Sequence, residues 1–192
     1  MRNLVLATRN AHKVTEMRRL LEPAGIGVEE LPAEVELPPE DGTTFADNAL
    51  PKARAAARAT GRAAFADDSG IEATALDGAP GVRSARYAGP SATDEENLSK
   101  FEDEVPADSR LRYVCAVAYV NPETGEERVF FGDCRGRMAH ARAGSGGFGY
   151  DPVFVPDATG DNRTMAELSD GEKDAISHRG HAVRALLKWI RP

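Results

Sequence analysis

A chain of 192 residues, 41% apolar and 29% charged, has the makings of an ordinary globular protein with a sizeable core. Its formal charge of −7, from 24 basic and 31 acidic residues, argues against a non-specific nucleic-acid binder. No apolar run approaches the roughly 20 residues of a membrane span, and the N-terminus lacks a signal-peptide core, so no membrane partner is expected.

Leu4-Val5-Leu6-Ala7 reads as a buried strand running into Thr8-Arg9-Asn10. A helix follows, with Val14, Met17, Leu20 and Leu21 at helical spacing and a stop between Pro23 and Gly25. Thr44 with Asp47 three residues on predicts a capped second helix, rich in alanine and closing at Gly61. Pro51 is awkward there, since it removes a hydrogen bond and predicts a kink or a later start. The apolar run Ala63-Ala64-Phe65-Ala66 predicts a strand that ends at Asp67-Asp68 before a Ser69-Gly70 turn, with a second extended piece over 71–75.

A Gly/Pro-rich loop from Asp77 to Gly89 leads to an acidic helix from about Thr93. The alternating runs 111–120 and 127–138, around Asn121-Pro122-Glu123-Thr124-Gly125, predict a long hairpin. A short strand over 153–155 and a last helix capped by Ser177, with Val183, Leu186, Leu187 and Ile190 on one face, complete a mixed α/β chain.

Three segments carry chemistry. Two adjacent acids at the rim of a sheet are costly like charges unless a cation neutralises them, although the stretch alone fits a solvated turn as well. Thr8-Arg9-Asn10-Ala11-His12-Lys13 is a strand-to-helix junction, where free N–H groups and a lysine suit an anion. It is no Walker loop, because G-x-x-x-x-G-K-[ST] occurs nowhere in the chain. His178 and Arg179 in the first turn of a helix oppose its dipole, which points to a ligand, with Lys173 close in sequence. Gly144-Ser145-Gly146-Gly147-Phe148-Gly149 spells G-x-G-x-x-G, but Pro152 and a β-rich run follow it, so no dinucleotide-binding helix is expected.

In order, these segments resemble the inosine triphosphate pyrophosphatase family, the XTP/dITP diphosphatases, over nearly the whole chain. The matching stretches are Ala7-Thr8-x-Asn10-x-x-Lys13-x-x-Glu16, Thr44-Phe45-x-x-Asn48-Ala49 with Lys52-Ala53-Arg54, and Ala66-Asp67-Asp68-Ser69-Gly70. They continue with Gly78-Ala79-Pro80-Gly81-Val82-x-Ser84-Ala85-Arg86-Tyr87, Gly146-Gly147-Phe148-Gly149-Tyr150-Asp151-Pro152 and Lys173-x-Ala175-Ile176-Ser177-His178-Arg179-Gly180.

The resemblance implies a single domain over residues 1–192, an elongated mixed-sheet α/β fold of two lobes with a central nucleotide cleft, and a homodimer. It implies hydrolysis of ITP, dITP and XTP to the monophosphate and pyrophosphate with Mg²⁺, which keeps deaminated purines out of DNA and RNA. Thr8, Arg9, Asn10, Ala11, His12 and Lys13 would hold the triphosphate, with Lys52 assisting. Glu40 and Asp68 match the metal-binding acids, and Asp68 also matches the proton acceptor, with Ser69 touching substrate and Asp67 in support. Phe148, Gly149, Tyr150, Asp151, Lys173, His178 and Arg179 match the base pocket, where Asp151 is the candidate acceptor for N1–H. Arg9 and Pro51 depart from the family's pattern; Arg9, standing where glycine is common, either adds a phosphate contact or points outward. Two cysteines, Cys115 and Cys134, and four scattered histidines make no zinc spacing, so a reducing cytoplasm is expected.

Overall fold

The computed structural model describes residues 2–190. Strand β1 (Arg2–Leu6) feeds helix α1 (Ala11–Leu21), and after a short turn β2 (Ile26–Glu30) returns parallel to β1. An extended segment then reaches α2 (Phe45–Thr60), followed by β3 (Ala64–Ala73) and α3 (Asp94–Glu104). The hairpin of β4 (Arg110–Asn121) and β5 (Glu126–Met138) comes next, then β6 (Phe154–Pro156), α4 (Asp170–Ile176) and α5 (His178–Ile190). The strands form one mixed sheet in the order β2-β1-β3-β4-β5-β6, with β1 parallel to β3 and β5 antiparallel to β6. Among the described residues no helix is long and apolar enough to cross a membrane.

The chain divides into two compact units. The first holds residues up to Asp68, Cys115–Gly132 and the chain from Arg179 on. Its core gathers Leu4, Leu6, Met17, Leu21, Phe65, Val117, Tyr119, Val183 and Leu186. The second holds Ser69–Val114 and Asp133–His178 around Ile71, Phe101, Tyr113, Tyr150, Phe154 and Met165.

Most elements stand where their signals place them. Thr44 and Asp47 form a reciprocal capping box, and Gly61 ends α2 in the left-handed region at φ 66°. Thr93 caps the acidic helix in the same way. Three expectations need correction. Helix α2 does not start late; it takes in Pro51 and runs on to Thr60, carried by a buried face of Ala49, Ala53, Ala56 and Ala57. Asp67-Asp68 does not end a strand, because β3 continues through Ser69 and Gly70 to Ala73 as one extended run. Ser177 stands where expected, as the extended residue directly before α5, and it also closes α4, a short helix with its own Ser169 cap. The last short strand lies one residue further on, over 154–156.

Gly136, on β5 opposite Pro156, marks a close approach. A Cβ there would lie 2.8 Å from the Phe154 ring and closer still to the Val155 carbonyl. Gly136→Ala is therefore expected to lower stability by about 1–3 kcal/mol, read as a fall in the thermal or urea midpoint.

Candidate functional site

In the first unit, helix spacing assembles the site. Asn10 is the N-cap of α1, its side chain accepting from the Lys13 amide, and the first turn carries no acid to compete for an anion. Thr8 steadies the same turn by accepting from the Asn10 amide at 3.2 Å. Lys13 and Glu16, three residues apart, share one face of α1. Lys13 Nζ lies 3.1 Å from Asp67 Oδ2, and Glu16 accepts from Arg179 Nη1. Arg179 closes the group, donating from Nε at 3.2 Å and Nη2 at 2.9 Å to Asp67 Oδ2.

Asp67 is wholly buried and Arg179 is 1% exposed. Burial on its own would raise the Asp67 carboxyl, but Lys13, Arg179 and Lys52 together hold it well below the usual carboxylate range. Asp67 is thus a fixed anion and no proton acceptor.

Asp68, one residue along an extended strand, points to the opposite face. There the buried positions of α2 run Phe45, Asn48, Ala49, Lys52, Ala53, Ala56, so Asn48 and Lys52 both face inward. Asn48 Nδ2 donates to Asp68 Oδ2 at 2.9 Å while its Oδ1 accepts from the Gly42 amide at 2.8 Å. Lys52 Nζ donates to the Asp67 carbonyl at 2.8 Å and to Glu40 Oε1. Burial pushes the Asp68 carboxyl up, against the pull of Lys52, Lys13 and Asn48. A buried carboxyl whose neighbours under-compensate its charge, with a second acid in the same electrostatic neighbourhood, fits a hard divalent cation. Among the described residues no three His, Cys, Asp or Glu side chains converge as a metal cage.

In the second unit, Asp151 is the hub. Its Oδ2 accepts from Lys173 Nζ at 2.7 Å and from the Phe148 amide at 2.9 Å, and its Oδ1 accepts from the Tyr113 hydroxyl at 3.1 Å. Lys173 Nζ also stands 5.3 Å from the centre of the Phe148 ring. Tyr113 stacks on His178, ring centres 4.6 Å apart and planes within 8°. Burial, then Asp151, raises the Tyr113 hydroxyl well above its ordinary value, so it stays a donor. Gly147 leaves room for this hub: a Cβ there would strike the Asp151 carboxylate and lie 2.9 Å from Lys173 Nζ.

Each unit thus gathers part of the expected set. The first brings together Asn10, Lys13, Glu40, Lys52 and Asp68; the second brings together Phe148, Asp151, Lys173 and His178. Ala11 and His12 are exposed in the first turn of α1, Gly149 sits in the Phe148 loop, and Ser69 is half-buried on β3.

Four residues stand otherwise than expected. Arg179 belongs to the first unit, its guanidinium held by two buried carboxylates, Asp67 and Glu16. Arg9 turns from the phosphate junction to donate to four backbone carbonyls of residues 31–35. Tyr150 is a core residue, donating to the Ser84 carbonyl at 2.7 Å and packing edge-on against Phe101. Asp151 accepts from three protein donors and so orients Lys173 and the Phe148 loop, a role the sequence did not suggest.

Sequence reasoning placed Glu16 and Asn48 in its motifs without giving them a role, and it missed Tyr113. Glu16 and Asn48 carried a usable signal, since each is a polar residue at an inward helical position. Tyr113 carried none, because an aromatic in an alternating strand reads as core.

A family model described as the Ham1 family matches residues 4–189. A dITP/XTP pyrophosphatase from Cutibacterium acnes is 47% identical over 99% of this chain and 97% of its own length. One of the same name from Streptomyces coelicolor is 46% identical over 100% and 98%. The solved structure of a HAM1 protein from Coxiella burnetii superposes with a TM-score of 0.84 at 40% identity, covering 99% of this chain and 98% of that one. With fold and sequence matching end to end, the chain belongs to the Ham1 family.

Proposed function

We propose that this chain hydrolyses deaminated purine nucleoside triphosphates, ITP, dITP and XTP, to the monophosphate and pyrophosphate with Mg²⁺. The observation that carries the reading is the split of two adjacent acids: Asp67 locked as an anion by Lys13 and Arg179, Asp68 raised by burial on the other face. A fixed anion organises the cations, and a carboxyl lifted toward neutrality is better suited to proton transfer.

Hydrolysis of a triphosphate is limited by positioning and charge neutralisation. The amides opening α1, with Asn10 and Lys13, receive phosphate oxygens. An ammonium has three donors, so Lys13 can hold Asp67 and a phosphate together. Lys52 adds a second cation from α2. Glu40 and Asp68 would hold Mg²⁺, which when bound neutralises phosphate charge and acidifies coordinated water. Asp68 takes the proton from the water that attacks the α-phosphorus, and pyrophosphate leaves into the field of Lys13 and the helix terminus.

Selectivity falls to the base edge. Hypoxanthine and xanthine present O6 as an acceptor where adenine presents a donor. Lys173, oriented by Asp151, and His178, oriented by Tyr113, supply donors for O6, and Phe148 supplies a stacking face. The same reading has the chain acting on free nucleotides as a homodimer in the cytoplasm, without nucleic-acid or membrane partners. The formal charge of −7 supports a small anion held locally over a long polyanion.

Asp68→Asn is expected to lower kcat by about 10²–10⁴ with KM changed little, measured as pyrophosphate released from ITP. Orthophosphate as the product would replace this reading with that of a simple phosphatase. EDTA should abolish turnover and added Mg²⁺ restore it, checked in the same assay. Lys173→Met, combined with Asp151→Asn to keep the buried charges balanced, should reduce the preference for ITP over ATP by on the order of 10² in kcat/KM, mostly through loss on ITP.

A further inference from the structure

We propose that Arg9 is a positioning residue that clamps the segment carrying Glu40 and so sets the magnesium requirement; this rests on the function proposed above. Arg9 Nη1 donates to the Leu31 carbonyl at 2.7 Å. Its Nη2 lies within hydrogen-bond reach of the carbonyls of Pro32 at 2.6 Å, Ala33 at 3.2 Å and Val35 at 2.8 Å. One side chain therefore gathers four carbonyls from a stretch with no strand or helix.

The sequence explains why this stretch needs an outside donor. Residues 31–44 form no helix or strand, and Pro32, Pro38 and Pro39 have no amide to give. Their carbonyls have no ladder to join, and a planar guanidinium presents donors in a fork that meets several at once. Charge points the same way. From Glu29 to Asp41 the chain carries six acids and no base, and Arg9 brings a cation to it from the end of β1. Hydrogen bonds to neutral carbonyls leave that charge intact.

The segment is then pinned at both ends. Arg9 holds residues 31–35, and Asn48 holds the Gly42 amide at 2.8 Å. Glu40 lies between these pins, bonded by Lys52. The pin at Gly42 reaches Asp68 through the same Asn48 side chain. Glu40 is thus an acid on an irregular tether, and its placement depends on the tether's anchors. Loosening the Arg9 anchor widens the range of positions Glu40 samples, which weakens a ligand set more than it weakens the fold.

The test compares Arg9→Ala and Arg9→Lys with the unsubstituted protein. Lysine keeps the charge but concentrates its donors on one nitrogen, so it cannot span the four carbonyls. Hydrogen exchange, measured without nucleotide or metal, should speed up on the order of tenfold at the hydrogen-bonded amides of Val35 and Gly42 in both variants, and stay unchanged in β4. The Mg²⁺ concentration for half-maximal ITP hydrolysis should rise about tenfold in both, with kcat at saturating Mg²⁺ within roughly twofold. Unchanged exchange in Arg9→Ala would overturn the clamp. Full rescue by Arg9→Lys would show that charge alone matters and overturn it as well. Faster exchange with an unshifted Mg²⁺ requirement would overturn the link to Glu40. Failure of the underlying activity would show in the unsubstituted protein, as no pyrophosphate from ITP.

Discussion

The first unit depends on keeping Asp67 ionised where no water reaches it. An isolated buried carboxylate costs several kcal/mol and would take up a proton instead. Here three elements converge to prevent that: α1 brings Lys13, α5 brings Arg179, and α2 brings Lys52 to the neighbouring carbonyl. Glu16 balances the extra charge on Arg179. Such a group adds little net stability, since desolvation offsets most of its attraction. What it fixes is geometry: the N-terminus of α1 and the start of α5 are tied to one point on β3.

The pleat of β3 then separates two acids that are neighbours in the chain. Because successive side chains leave opposite faces, Asp67 and Asp68 meet different surroundings. On one face Lys13 and Arg179 outweigh the burial of their acid; on the other, burial outweighs the pull of Lys52, Lys13 and Asn48. Two residues of the same type thus diverge in acidity with no difference in their own chemistry. Their opposition across the strand also relieves the like-charge repulsion that would trouble two acids on one turn.

The second unit uses the opposite economy: a single carboxylate serves several donors. Asp151 fixes Lys173, the Phe148 amide and Tyr113, and Tyr113 in turn stacks on His178. Side chains held this way keep their donors aimed before any ligand arrives.

Local signals were enough for much of this protein. Thr44 with Asp47, Gly61 and the alternation on either side of Pro122 announced their cap, stop and hairpin, because each depends on residues within one turn or one strand pair. The ordered motifs around Lys13, Asp68 and Lys173 announced the family, since local spacing survives in them. What the sequence could not determine was partnership. Arg179 lies 112 residues from Asp67 and 163 from Glu16, and nothing near any of them reveals the others. A Ser-Gly pair that favours turns in isolation is held extended within a six-stranded sheet, and Pro51 is carried inside a helix by the burial of its alanine face. Residue types and local periods were therefore legible in one dimension. The tertiary structure alone decided which charges meet, because burial and pairing are properties of distance in space.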